Sequence, residues 1–188
     1  MFMEGDRGES VIVVRSGRVK VFATSEDGHD TLLAVRGPGD VLGEFSAIDD
    51  GLRSASGTAL EPVEAQVITA SDFRGFLAAT PGAAFALLAS VVARIRMSDR
   101  LRVELGARDT MGRVAARLLA LAESTGVEED GAVRIGLPLT QDDLAGWVVA
   151  SRESVARALA SMRKRGIIAT ARREIRVLDL AALRDAAT

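Results

Sequence analysis

Residues 139–159, Leu139-Thr-Gln-Asp-Asp-Leu-Ala-Gly-Trp-Val-Val-Ala-Ser-Arg-Glu-Ser-Val-Ala-Arg-Ala-Leu159, hold two helix starts in one short stretch. Thr140 stands as an N-cap with Asp143 three residues on, close to a capping box. Ser151 opens a second helix in the same way. With Ser151 as the cap, Val155, Leu159 and Met162 share one apolar face, which predicts burial against the preceding helix. After Gly166, Ile167-Ile-Ala-Thr170 and Glu174-Ile-Arg-Val-Leu178 predict two strands of a small hairpin, followed by a short C-terminal helix. Helix, tight turn, helix and hairpin together make a winged helix-turn-helix.

Arg152, Glu153 and Arg157 lie in the first two turns of the second helix, away from its apolar face. The N-terminal residues of such a helix are the ones that reach base edges in the major groove of double-stranded DNA. Arginine can donate two bonds to guanine O6 and N7, and a carboxylate can accept from cytosine N4. A nonspecific phosphate clamp has no use for Glu153, which adds repulsion. The competing arrangement is a solvated face in which Glu153 pairs with Arg157 at i,i+4. Arg163-Lys-Arg165 and the basic hairpin (Arg172, Arg173, Arg176) favour DNA. The charge is uneven in the same sense: residues 1–77 hold 13 Asp/Glu against 7 Lys/Arg, and residues 139–178 hold 8 Lys/Arg against 4 Asp/Glu, in a chain of net charge -2.

Upstream the pattern is β. Glycines recur between the short β-rich runs Val11–Val14, Val19–Phe22, Thr31–Val35 and Ala65–Ile68. Turns at this spacing predict a small barrel or jelly roll, with Ser25-Glu-Asp-Gly28 as a hairpin turn. Thr80-Pro81 then begins a long helix running to about Leu105, and a further helix is predicted from about Asp109 to Ala122, followed by a loop over 124–131. Ala84, Leu88, Val91, Ile95, Ser98, Arg102 and Leu105 form a heptad-type seam. Such a seam suits either a second copy of the helix or the flank of its own β-domain.

The acidic half contains Gly43-Glu-Phe-Ser-Ala-Ile-Asp-Asp-Gly-Leu-Arg-Ser-Ala55. This chemistry suits a sugar-phosphate. Arg53 offers a bidentate fork to a phosphate, Ser54 and turn N–H groups add donors, and Glu44 can accept from a ribose hydroxyl. The same residues also suit a plain Glu44–Arg53 salt bridge across the loop.

Both segments resemble the cyclic-AMP receptor protein family of bacterial transcription regulators. The Ser-Arg-Glu-Ser-Val-Ala-Arg run is similar to that family's recognition helix, and Gly-Glu-Phe-Ser…Arg-Ser-Ala looks like the phosphate-binding cassette of its nucleotide domain. The resemblance implies that Arg152, Glu153 and Arg157 read bases and that Thr140, Ser151 and Ser154 meet the DNA backbone. It implies that Gly43, Glu44, Phe45, Arg53 and Ser54 hold ribose and cyclic phosphate, with Ser98 and Asp99 at the purine. The expected whole is an α+β protein: a cyclic-nucleotide-binding β-roll over 1–77, a dimerisation helix and connector over 78–107, and a winged helix-turn-helix over 108–188. It would act as a homodimer on a near-palindromic operator, with cyclic AMP (before cyclic GMP) as effector, RNA polymerase as a further partner, and no cofactor.

Two departures are visible. The family often has glycine in the turn where this chain has Val149, and a β-branched residue at positive φ is costly. Asp99 replaces a hydroxyl residue. Family members also carry about one more helix and strand before Glu4-Gly-Asp-Arg-Gly8, so a sheet edge is expected to be open.

Other classes have little support. There is no Cys, which excludes disulfides and thiolate-bound metals. His29 is the only His and is assigned to the surface; Trp147 is assigned to core packing. No nucleophile–base pair stands out for an enzyme. No apolar run is expected to approach a membrane span, and the start of the chain has no secretory pattern, so a cytoplasmic location is expected.

Overall fold

The structure, a computed structural model, describes residues 1–188 apart from Glu26, Asp27, His29, Arg172 and Arg173; the side chains of Leu101, Arg102, Glu104 and Leu105 are also outside the description. The expectations for His29, Arg172 and Arg173, and the Arg102 and Leu105 positions of the seam, therefore fall outside the described residues. The chain divides into two compact units, Met1–Arg100 and Leu101–Thr188.

The first unit is a β-roll of two antiparallel sheets. One has the order β4 (Val41–Leu42), β1 (Ser10–Ser16), β6 (Glu64–Thr69); the other has β3 (Asp30–Arg36), β2 (Val19–Thr24), β5 (Ser56–Ala59). All four predicted strands are present. Gly28, at φ 79°, donates to Ser25 O at 2.9 Å and closes the turn between β2 and β3. Alternation along β1 puts Val11 into one cluster with Ala47, Ala70 and Phe73, and Ile12 and Val14 into another with Val19 and Leu42. Between the strands lies α1 (Glu44–Asp49), and after them come α2 (Ala70–Ala79) and α3 (Pro81–Ala107). The first of these last two was not expected as a separate helix, although Thr69 caps it by accepting from Asp72 N at 3.1 Å.

The predicted seam on α3 needs correction. Val91 lies against the roll, and Leu87 packs on the Val11 cluster. The outward apolar row is Phe85, Leu88, Val92 and Ile95, with Phe85 74% and Ile95 57% exposed. The predicted seam takes Leu88 from the outward row and Val91 from the inward one, with Ile95 both exposed and on the cavity wall, and sequence spacing alone merged the two. Contrary to expectation, Pro81–Arg100 reaches a mean hydropathy of 1.2 and could cross a membrane by length and composition. Its Arg94, however, is committed to the roll: it pairs with Glu44 and donates to Val41 O at 3.0 Å.

The second unit begins with α4 (Thr110–Thr125), capped by Asp109. The predicted loop over 124–131 instead contains strand β7 (Val127–Glu129), which pairs with β8 (Ala132–Ile135). Asp130 and Gly131, at φ 51° and 76°, supply the two left-handed residues of a tight hairpin. With β9 (Ile168–Ala171) and β10 (Glu174–Val177) they form a four-stranded sheet of order β7-β8-β10-β9. Helices α5 (Gln141–Val148), α6 (Arg152–Lys164) and α7 (Leu180–Ala186) complete the unit. Val155, Leu159 and Met162 are buried as predicted. Trp147 is half-buried beneath the Arg117 guanidinium, 5.5 Å from the ring centre.

The turn between α5 and α6 has the conformation that the sequence made doubtful. Val149 sits at φ 51°, ψ 62°, in the left-handed region. The backbone around it is held: Ala150 N–H returns to Ala145 O at 3.0 Å, and Arg113 Nε donates to Val148 O at 2.9 Å. The Val149 side chain is 63% exposed and so gains little from packing. Val149→Gly should therefore stabilise the protein by about 1 kcal/mol, the usual cost of a side chain in this conformation. Urea unfolding checks this, and a lower midpoint for the variant would refute the strain.

Candidate functional site

A cavity of about 480 Å³ lies in the first unit between the roll and α3. Six of the seven expected ligand residues line it: Gly43, Glu44, Phe45, Arg53, Ser54 and Ser98. Asp99 is exposed and does not line the cavity.

The cassette is built around Gly43, which caps α1 at φ 78°. A Cβ there would collide with Arg53 Nη1, so only glycine permits this approach of backbone to guanidinium. Arg53 is 5% exposed. Its Nη1 donates to Gly43 O at 2.9 Å and Ser46 Oγ at 3.1 Å, and its Nη2 donates to Ser10 O at 2.6 Å. Its Nε is buried with no hydrogen-bond partner among the described residues. Burial lowers its pKa, partly offset by Asp6 and Glu44. The cassette thus assembles, but Glu44 and Arg53 are not the salt-bridged pair considered above. Glu44, 3% exposed, pairs with Arg94 of α3.

Two arginines of this cavity escaped the sequence analysis, Arg36 and Arg94. Arg94 lies one helical turn before Ser98, a spacing that could have flagged it. Arg36 ends a β-rich run and carries no such signal. Apart from Ser46 the remaining wall is apolar and includes Val21, Leu33, Leu42, Val91 and Ile95.

In the second unit, the expected DNA-contacting residues gather at the α5–α6 corner. Thr140 and Asp143 form a reciprocal capping box, with Thr140 N–H to Asp143 Oδ2 at 2.9 Å and Asp143 N–H to Thr140 Oγ1 at 3.0 Å. Ser151 caps α6 by accepting from Ser154 N at 3.2 Å. Arg152, Glu153 and Arg157 are all exposed at the start of α6. Arg157 Nη2 donates to Ser154 Oγ at 2.8 Å instead of pairing with Glu153, and Arg152 Nε lies 3.8 Å from Asp142. Glu153 is held below its ordinary pKa by its own backbone N–H, then by the Ser151 hydroxyl, with Arg152 and Arg157 adding to the effect. A carboxylate kept ionised in this way is an acceptor throughout the neutral range.

Comparison with known proteins supports both halves. The cyclic nucleotide-binding domain family matches residues 1–80, and the Crp-like helix-turn-helix domain family matches residues 112–186. A CRP-like cAMP-activated global transcriptional regulator of Mycobacterium tuberculosis is 36% identical over 179 residues, covering 95% of this chain and 80% of the relative. The cyclic AMP receptor protein of Thermus thermophilus is 32% identical over 191 residues, covering 100% and 83%. Among solved structures, a CRP-family transcriptional regulator of Thermus thermophilus superimposes with a TM-score of 0.84 at 24% identity, covering 100% of this chain and 92% of that one, and so matches in fold. The chain therefore belongs to the cyclic-AMP receptor protein family, as a DNA-binding transcription regulator that joins a cyclic nucleotide-binding domain to a Crp-like helix-turn-helix domain.

Proposed function

We propose that the protein is a homodimeric transcription factor whose affinity for a near-palindromic operator responds to cyclic AMP bound in the Glu44–Arg53 cavity. The observation that carries this reading is the cassette itself. A buried carboxylate and a buried guanidinium flank a left-handed glycine in a cavity large enough for a nucleotide. The names of the relatives favour cyclic AMP over cyclic GMP as effector. Gly43 and Ser54, with the fork of Arg53, would take the cyclic phosphate, and Glu44 the ribose hydroxyl. Phe45 would flank the nucleotide, and Ser98 the purine; Asp99, outside the lining, has weaker support. Because Glu44 also holds Arg94, a ligand that draws on Glu44 acts on α3 directly.

The exposed row Phe85, Leu88, Val92 and Ile95 supports a second copy of the chain as the partner of α3. Two copies related by a two-fold axis would present two α6 helices to half-sites about one DNA turn apart. Arg152, Glu153 and Arg157 would read bases, while Thr140, Ser151 and Ser154 would meet phosphates. RNA polymerase is the further partner expected of such a regulator.

Calorimetry with cyclic AMP is the primary test, and no heat at millimolar ligand would remove this effector. Arg53→Lys keeps the charge but loses the planar fork. It should weaken cyclic AMP by about tenfold or more, a loss on the scale of one charge-assisted hydrogen bond. Unchanged affinity would show that Arg53 serves only to hold the loop. For DNA, Arg157→Ala should relax the choice at one base pair, costing about 1–3 kcal/mol there. Selection from a random duplex library measures it, and a uniform loss over all sequences would mark a phosphate contact instead.

A further inference from the structure

We infer that Arg36 is a specificity-determining residue of the cavity, placed to donate to the base of the bound nucleotide and to favour guanine over adenine. The inference rests on the cyclic-nucleotide reading and goes beyond it by naming what distinguishes one base from another.

Three arginines line the cavity, and they differ in what they already hold. Arg53 donates to Gly43 O, Ser46 Oγ and Ser10 O. Arg94 pairs with Glu44 and donates to Val41 O. Arg36 has neither a hydrogen bond nor an ion pair among the described residues, although it is half-buried on the cavity wall. The neighbouring carboxylate of Asp40 accepts from Gly37 N at 2.9 Å. The Arg36 nitrogens are not among the fully buried unpartnered atoms, so they keep some water, and a ligand that brings acceptors would exchange that water for bonds made on a half-buried wall.

Arg36 also lies outside the cassette: it ends β3, whereas Arg53 is held by Gly43 O, Ser46 Oγ and Ser10 O. Burial lowers the pKa of Arg36, and the like charge of Arg94 lowers it further. On β3 it follows Leu33 and Ala34, which line the same apolar wall that α3 completes with Val91 and Ile95. On the proposed reading Gly43, Arg53 and Ser54 take the phosphate and Glu44 the ribose hydroxyl, so the group left to meet Arg36 is the base.

Arginine has donors only. The N7 edge of guanine offers two acceptors, O6 and N7, which a guanidinium can take together. The same edge of adenine offers N7 beside the N6 amine, itself a donor, so one contact of the pair becomes a clash. The fork of Arg36 therefore ranks cyclic GMP upward relative to cyclic AMP, whichever of the two the cell supplies.

Calorimetry of the full chain with cyclic AMP and with cyclic GMP, on wild type, Arg36→Leu and Arg36→Lys, tests this. Arg36→Leu should cost cyclic GMP about tenfold or more in affinity, the low end for one lost bidentate guanine contact. Cyclic AMP should change by less than about threefold or tighten. Arg36→Lys should fall between, since one donor point replaces a fork. Thermal melting should leave both variants folded, because Arg36 supports no protein acceptor. Equal losses for the two nucleotides would overturn the assignment and mark Arg36 as part of the general field of the cavity. No change for either would remove Arg36 from the site while sparing the cyclic-nucleotide reading. Failure of wild type to bind either nucleotide would sink that reading and this inference together.

Discussion

A carboxylate taken out of water has to be paired, and in this protein the pairing of Glu44 with Arg94 decides where the long helix lies on the roll. Glu44 opens α1, where the helix N-terminus favours negative charge, and it is almost wholly buried. The partner for so buried a carboxylate is the Arg94 guanidinium, which reaches across from α3. With Arg94 fixed also to Val41 O, the turns of α3 on either side bring Val91, Ile95 and Ser98 to the cavity. One ion pair thus closes the pocket and makes helix placement sensitive to whatever else engages Glu44.

The second constraint is the crowding at Gly43. Its left-handed backbone turns the chain from β4 into α1 and leaves room for Arg53 against its own carbonyl. Arg53 then ties three segments together: the Gly43 turn, Ser46 in α1 and Ser10 in β1. A residue so placed has two duties. It holds the cassette in shape, and on the proposed reading it also meets the effector. An incoming phosphate would have to exchange with acceptors already in hand or take up the unpartnered Nε. Such an exchange yields less net free energy than filling an empty fork, because bonds are traded rather than added.

Much of this was legible from local signals. Turn glycines and β-rich runs located β1, β2, β3 and β6, and Thr140 and Ser151 marked the starts of α5 and α6. Local readings failed where two rules competed. Asp130-Gly131 is a strong hairpin signal, but the acidic run Glu128-Glu-Asp130 before it reads as loop, and β7 was lost. Thr69 as the cap of α2 was hidden by the β-rich run Ala65–Ile68 immediately before it. On α3 the inward and outward apolar rows sit side by side, and no single-period count separates them. The cavity was half visible. Residues close in sequence, Gly43 to Ser54, announced themselves as a cassette. Arg36 and Arg94 come from distant parts of the chain, and only the packing of β3 and α3 brings them to one wall.

These features bear on how such a regulator can switch. A ligand shifts an equilibrium only by the difference in its interactions with the two states. Contacts to Arg53 and Gly43 lie within the roll and give affinity that is the same in any arrangement of α3. Contacts that involve Glu44, and through it Arg94, depend on where α3 sits, so on the proposed reading they are the ones that can carry coupling to DNA. The α6 corner needs no remodelling to receive that signal. Its caps are closed, Glu153 is held ionised, and the strained turn at Val149 is pinned by Arg113 of α4. On the proposed reading of a dimer, the two α6 helices can then be regulated by their spacing alone. On that reading the physical burden of the switch falls on a single buried carboxylate and the two groups, Arg94 and the effector, that would compete for its oxygens.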